Sequence, residues 1–101
     1  MKKEVKQAKE MYIVRTYSAG VFYGEIELIR GKEVTMTNAR RLWYWSGAAS
    51  LSELAMYGTR RPHDCKFTVT VDKVILMEAI EIIKCSDTAV ENINGVKEWR
   101  A

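Results

Sequence analysis

Proline occurs once, histidine once and cysteine only twice in these 101 residues. Each scarcity excludes something. Cys65 and Cys85 have no second cysteine pair nearby, which is neither a zinc-ligand spacing nor the framework of a disulfide-dense secreted domain. They read as two reduced, buried thiols of a cytosolic protein. The one histidine, His63, stands beside Asp64 in the loop "TRRPHDC", which also holds the one proline. Neighbours on a loop do not make an oriented base pair, and no serine or cysteine nucleophile has a recognisable context. His63 therefore reads as solvent-exposed, and the chain as a non-enzyme. No apolar run approaches the ~18 residues of a membrane span. The opening "MKKEVKQAKE" lacks the apolar core of a signal peptide, so residues 1–10 read as a charged arm. Excess charge is scarce as well: 16 Lys and Arg against 13 Asp and Glu leave +3, too little for a dedicated double-stranded DNA binder. The six glycines include no phosphate-cradling loop, because Gly20 and Gly24 do not lead from a strand into a helix.

What is present is a globular pattern, 48% hydrophobic and 29% charged, with no repeat or linker. It predicts one α+β domain over residues 11–101. "MYIVRTYS" (11–18) reads as a strand, Ser18 to Gly20 as a break, and "VFYGEIELIRG" (21–31) as a second strand with Gly24 a bulge or a close approach. In that second strand Ile26 and Leu28 are expected on one face, Glu25 and Glu27 on the other. Gly31 suits a tight turn. "EVTMT" (33–37) is a third strand; "ARRLWYW" (39–45) is a fourth, or the third continued past a kink at Asn38. Ser50, Glu53 and Gly58 mark the start and stop of a short helix, and Ser86 and Gly95 those of another at the end. Between the helices, "KFTVTVDKV" (66–74) alternates strictly, with Phe67, Val69 and Val71 expected inward. "VILMEAIEIIKC" (74–85) carries helix and strand signals together and reads as a strand. The sum is a small antiparallel sheet of about five or six strands with one short central helix and one short C-terminal helix.

The candidate chemistry concentrates in "NARRLWYWSGAASL" (38–51). Between Glu33 and Glu53 the only charged residues are Arg40 and Arg41. On a regular strand they face opposite sides, so Arg41, Trp43 and Trp45 share one face and Arg40 and Tyr44 the other. A guanidinium beside two indoles is chemistry that stacks on a base and pairs with phosphate. The same residues also suit a core with an arginine at its edge, and both readings stay open. Ser50 then opens a helix whose free N–H groups favour anions. "RTYSAGVF" (15–22) adds Arg15, Ser18, Gly20 and Phe22, a cation, an aromatic and a break where a backbone can approach a ligand. The acid pairs Glu25/Glu27 and Glu78/Glu81 could serve a metal or acid–base work, and read instead as wet strand faces. No metal and no cofactor are expected.

"RTYSAGVF", "NARRLWYWSGAASL" and "VDKVILMEAIEIIKC" together resemble a family of small phage and prophage proteins of unannotated function, over roughly residues 12–99. The resemblance implies a virus-encoded accessory protein acting in the host cytoplasm and supplies no activity. Small phage proteins of this build often counter host defence, some by sequestering cyclic nucleotide or ADP-ribose-derived signals between protomers. That likeness is one of context and pocket chemistry. The expectation is a homo-oligomeric, non-enzymatic protein that binds a small nucleotide-derived host signal. The alternative is a protein–protein interaction module, either a direct inhibitor of a host protein or a virion component.

Overall fold

A computed structural model describes residues 10–101; the expected N-terminal arm, apart from Glu10, lies outside them. The strands are β1 (Tyr12–Thr16), β2 (Val21–Arg30), β3 (Glu33–Tyr44), β4 (Lys66–Phe67), β5 (Val71–Leu76) and β6 (Ala79–Lys84). The helices are α1 (Leu51–Tyr57) and α2 (Asp87–Asn94), with one turn of 3-10 helix at Pro62–Asp64. All strand pairs are antiparallel, in the order β4–β3–β2–β1–β6, and β5 follows β4 along the same edge of β3. The domain is α+β as expected. No helix among the described residues is long and apolar enough to cross a membrane.

The sheet is curled. β5 and β6 lie four strand intervals apart in the order, ~19 Å across a flat sheet at ~4.8 Å per interval. Only Met77 and Glu78 join them, and three Cα steps reach at most ~11 Å. The two edges therefore meet at this end. Tyr17 N donates to Glu78 O at 2.9 Å, and Ala79 N donates to Lys32 O at 2.9 Å, tying the joint to both neighbouring corners. Inside the curl pack Val14, Phe22, Val34, Met36, Ala39 and Leu76. On the outer face Ile13, Tyr23, Leu42 and Phe67 pack under Leu54 and Ala55 of α1 and Ala89 and Ile93 of α2. Ile13 and Val14 are both fully buried because β1 has a core on each side.

The bends have identifiable causes. The β2–β3 register slips between Tyr23 and Glu25, where Asn38 takes φ +47°. A Cβ on Gly24 would stand 2.8 Å from Ala39 Cα, so this crossing needs glycine. The third strand thus continues past a kink at Asn38. A second slip between Ile26 and Leu28 takes Leu28 off the face of Ile26 and leaves it exposed. Gly31 turns the hairpin at φ +64°.

Both helix signals hold. Ser50 Oγ accepts from Glu53 N at 3.1 Å, and Glu53 Oε1 accepts from Ala49 N at 2.8 Å. Ser86 Oγ accepts from Ala89 N at 3.1 Å and donates to Met56 O at 2.6 Å, joining the two helices. The strand expected over 66–74 is corrected: it breaks at Thr68–Thr70, and Val69 and Val71 are exposed rather than inward. Thr68 is the reason. Its side-chain Oγ1 accepts from Arg41 N at 3.0 Å, taking a place that a backbone carbonyl holds in an unbroken ladder. The segment 74–85 is strand, as expected, but folds back at Met77–Glu78 into two. Cys65 and Cys85 are free and buried, and burial pushes the Cys85 thiol up to about 11.

Candidate functional site

The adjacent arginines part company. Arg40 is buried on the helix side. It donates to Thr68 O at 3.0 Å, Phe67 O at 3.0 Å, Ile93 O at 3.3 Å and Val96 O at 3.0 Å. The last two carbonyls close α2, whose C-terminal end attracts a cation. Burial lowers the Arg40 pKa, opposed by the charge of Glu98. Its guanidinium is thus engaged by backbone carbonyls on the helix side, away from Arg41. Arg41 faces the other way. Its guanidinium lies 4.6 Å from the centre of the Phe22 ring, its cross-strand partner. Its Nε is buried without a hydrogen-bond partner, and no carboxylate among the described residues pairs with it.

The expected alternation then fails. The β3–β4 register slips between Leu42 and Tyr44. Two consecutive side chains of a bulge share a side, so Trp43 and Tyr44 both face away from Leu42. Trp45, expected beside Trp43, is carried to the opposite face, where it packs half-buried against the helix-side core. In its place comes a residue from far along the chain. Trp99 N donates to Phe67 O at 2.9 Å, which lays the C-terminal segment beside β4. Its indole stacks on Trp43 with centroids 6.1 Å apart and planes inclined by 16°. Lys66, opposite Tyr44, holds its ammonium 5.4 Å from the Trp99 ring. One face thus carries Arg41, Trp43, Tyr44, Lys66 and Trp99. Trp43 is 61% exposed and Trp99 44%, so the stack is open to solvent.

Beside Trp99 lies a cavity of about 500 Å³ lined by Tyr44, Ser46, Arg61, His63, Asp64 and Lys66, with Cys65 beneath. His63 is exposed there, as expected.

The remaining expected residues are not gathered into this face. Arg15 is neutralised by Glu81, Nε to Oε1 at 2.8 Å. Ser18 Oγ donates to Glu78 at 2.9 Å, and Gly20, at φ +97°, closes the corner before β2. Ser50 spends its hydroxyl on capping α1. Phe22 is buried, and reaches the face only through the arginine above it. Sequence reasoning missed Trp99, Lys66 and Arg61. The available signal was the third tryptophan, in "VKEWRA", flanked by Lys97 and Arg100. Among the described residues no three His, Cys, Asp or Glu side chains gather closely enough to hold a metal ion.

No curated protein and no solved structure matches the chain. A family model does, over residues 9–93, a range that spans all six strands and α1 and stops short of Trp99. That model describes a domain of unknown function, DUF6948, and the chain belongs to this family.

Proposed function

We propose that the protein is a non-enzymatic, virus-encoded accessory protein that binds a nucleotide-derived host signal, of the cyclic oligonucleotide or cyclic ADP-ribose type, and withholds it in the host cytoplasm. The observation that supports this reading is the Trp43–Trp99 stack, open to water, with Lys66 against it. Indoles are large apolar surfaces that folding ordinarily hides, and a wet pair flanked by cations suits a planar anion. Stacking on an aromatic ring is worth ~1–3 kcal/mol per base and is indifferent to which base it is. Arg41 and Lys66 have no carboxylate partner among the described residues, so both remain available to phosphate.

The test is a thermal melt of the protein with a panel of cyclic dinucleotides, cyclic trinucleotides and cyclic ADP-ribose isomers. A bound ligand raises the melting temperature by mass action. We expect at least one to do so, to be recovered unaltered, and to lose its effect on Trp43→Ala. A panel that leaves the melt unmoved overturns the reading, and recovery of a chemically altered nucleotide overturns its non-enzymatic part.

The second reading is a protein-interaction module. Its own observation is a set of exposed apolar side chains away from the stack: Leu28, Ile29, Ile75, Met77, Ile80 and Ile82. Aromatic residues and arginine also favour protein interfaces. Under that reading Ile29→Lys abolishes capture of a protein partner and no nucleotide changes the melt.

A further inference from the structure

We propose that the cavity beside Trp99 is a phosphate subsite, taking the phosphate of a nucleotide whose base lies on the Trp43–Trp99 stack. The inference rests on the nucleotide reading above and names where the charged end of that ligand goes.

The cavity, about 500 Å³, is within the ~300–1,000 Å³ of small-molecule sites. Its chemistry favours an anion. Lys66 has no carboxylate partner among the described residues, and Arg61 has one, Asp64, at 3.5 Å. Those three charges leave one cation uncompensated. The Tyr44 and Ser46 hydroxyls supply further donors at the wall. A cationic ligand would meet a single carboxylate that Arg61 already holds. A phosphate would meet donors on several sides.

The walls are fixed before any ligand arrives. Thr59 Oγ1 donates to Ser46 O, and accepts from Arg61 N at 2.9 Å. Arg60 N donates to Gly47 O at 3.1 Å, and Ser46 N donates to Cys65 Sγ at 3.5 Å. Gly47 sits at φ +87°, and a Cβ there would stand 2.5 Å from Arg61 N. The junction therefore locks the loop carrying Arg61 and His63 against the end of β3. The backbone that carries Arg61 and His63 is thus fixed, while the cationic side chains stay exposed to an incoming ligand. The base and phosphate positions are also adjacent, because Lys66 and Trp99 belong to both the stack and the cavity wall.

The experiment titrates the full chain with the four ribonucleosides, their 5′-monophosphates and inorganic phosphate, following tryptophan fluorescence. We expect at least one monophosphate to bind about tenfold or more tighter than its nucleoside, the effect of one charge-assisted hydrogen bond. The gap should close in the double variant Arg61→Gln, Lys66→Gln, both exposed positions whose melts report intact folding. Arg41→Ala should weaken the monophosphate less than the double variant does. Nucleosides and monophosphates binding alike, with both lost in Trp43→Ala, would overturn the subsite and leave the stacking platform standing. A phosphate preference that survives the double variant, or that closes in Arg41→Ala alone, also overturns it. If none of the nucleosides or nucleotides binds, this inference and the nucleotide reading fail together.

Discussion

Arg40 and Arg41 are one position apart and do unrelated work. Arg40 is a buried cation held by four carbonyl oxygens, with no salt bridge among the described residues. Losing it leaves Thr68 O and Val96 O without the donor the structure gives them, while Phe67 O keeps Trp99 N and Ile93 O keeps Val96 N, and an unsatisfied buried acceptor costs ~1–3 kcal/mol. Arg40→Met keeps the apolar stem and deletes only the donors. We expect it to cost about 3 kcal/mol or more and to lower the melting temperature by roughly 10 °C or more. Arg41 is only half-buried and pairs with a ring rather than an acid. Arg41→Ala should move the melt by only a few degrees, since exposed cation–π contacts are worth ~0.5–1 kcal/mol. Differential scanning calorimetry of the two variants checks this. Equal losses would mean that the carbonyl cage contributes nothing. Both residue types were legible in the sequence, as was the opposition of their side chains. That Arg40 took the helix side was not, because its acceptors lie 27 to 56 positions away.

At the scale of elements, local signals were read well and register was not. Caps and turns are decided by a few neighbouring residues, so Ser50, Glu53, Gly31 and Ser86 could be read directly. Register depends on partners. Strict alternation over 66–74 promised an unbroken strand, yet Thr68 uses its side chain on Arg41 N and the ladder breaks. The bulge at Trp43 exchanged Trp45 for Tyr44 on the exposed face, and no window of sequence displays a bulge set by β4. Gly24 is the exception, where sequence indicated a close approach and the backbone makes one. Gly24→Ala puts a Cβ 2.8 Å from the Cα of Ala39, which is backbone and cannot yield. Overpacking of this kind costs ~1–3 kcal/mol. Gly95→Ala, whose Cβ would meet nothing closer than 3.5 Å and whose φ of −83° is ordinary, should cost far less. Denaturant midpoints of the two variants that coincide would show the β2–β3 crossing to be slack.

At the scale of the whole molecule, the curl that joins β5 to β6 leaves apolar surface outside. β6 pairs with β1 on one side and, among the described residues, has no strand on the other. Ile80 and Ile82 stand exposed on it, Met77 and Ile75 on the joint and strand before it, and Leu28 and Ile29 at the tip of β2. This short edge carries isoleucines, and its two charged residues, Glu81 and Lys84, are engaged by Arg15 and Glu10, which leaves little to discourage pairing with another chain. An 11.6 kDa domain gains proportionately much from added burial, because so little of its surface is hidden by folding alone. We therefore propose that the protein is a homo-oligomer. Light scattering at micromolar concentration should return a multiple of 11.6 kDa. Ile80→Lys should reduce it to the monomer with little change in the melt of the monomer itself, since this side chain is already half in water. The nucleotide reading then gains a second check. The Trp43–Trp99 stack lies at the opposite end of the sheet order from β6, so the monomeric variant should still bind a nucleotide that the parent binds. A parent that already scatters as 11.6 kDa sinks the oligomer proposal, and loss of binding in Ile80→Lys would place part of the ligand site between protomers.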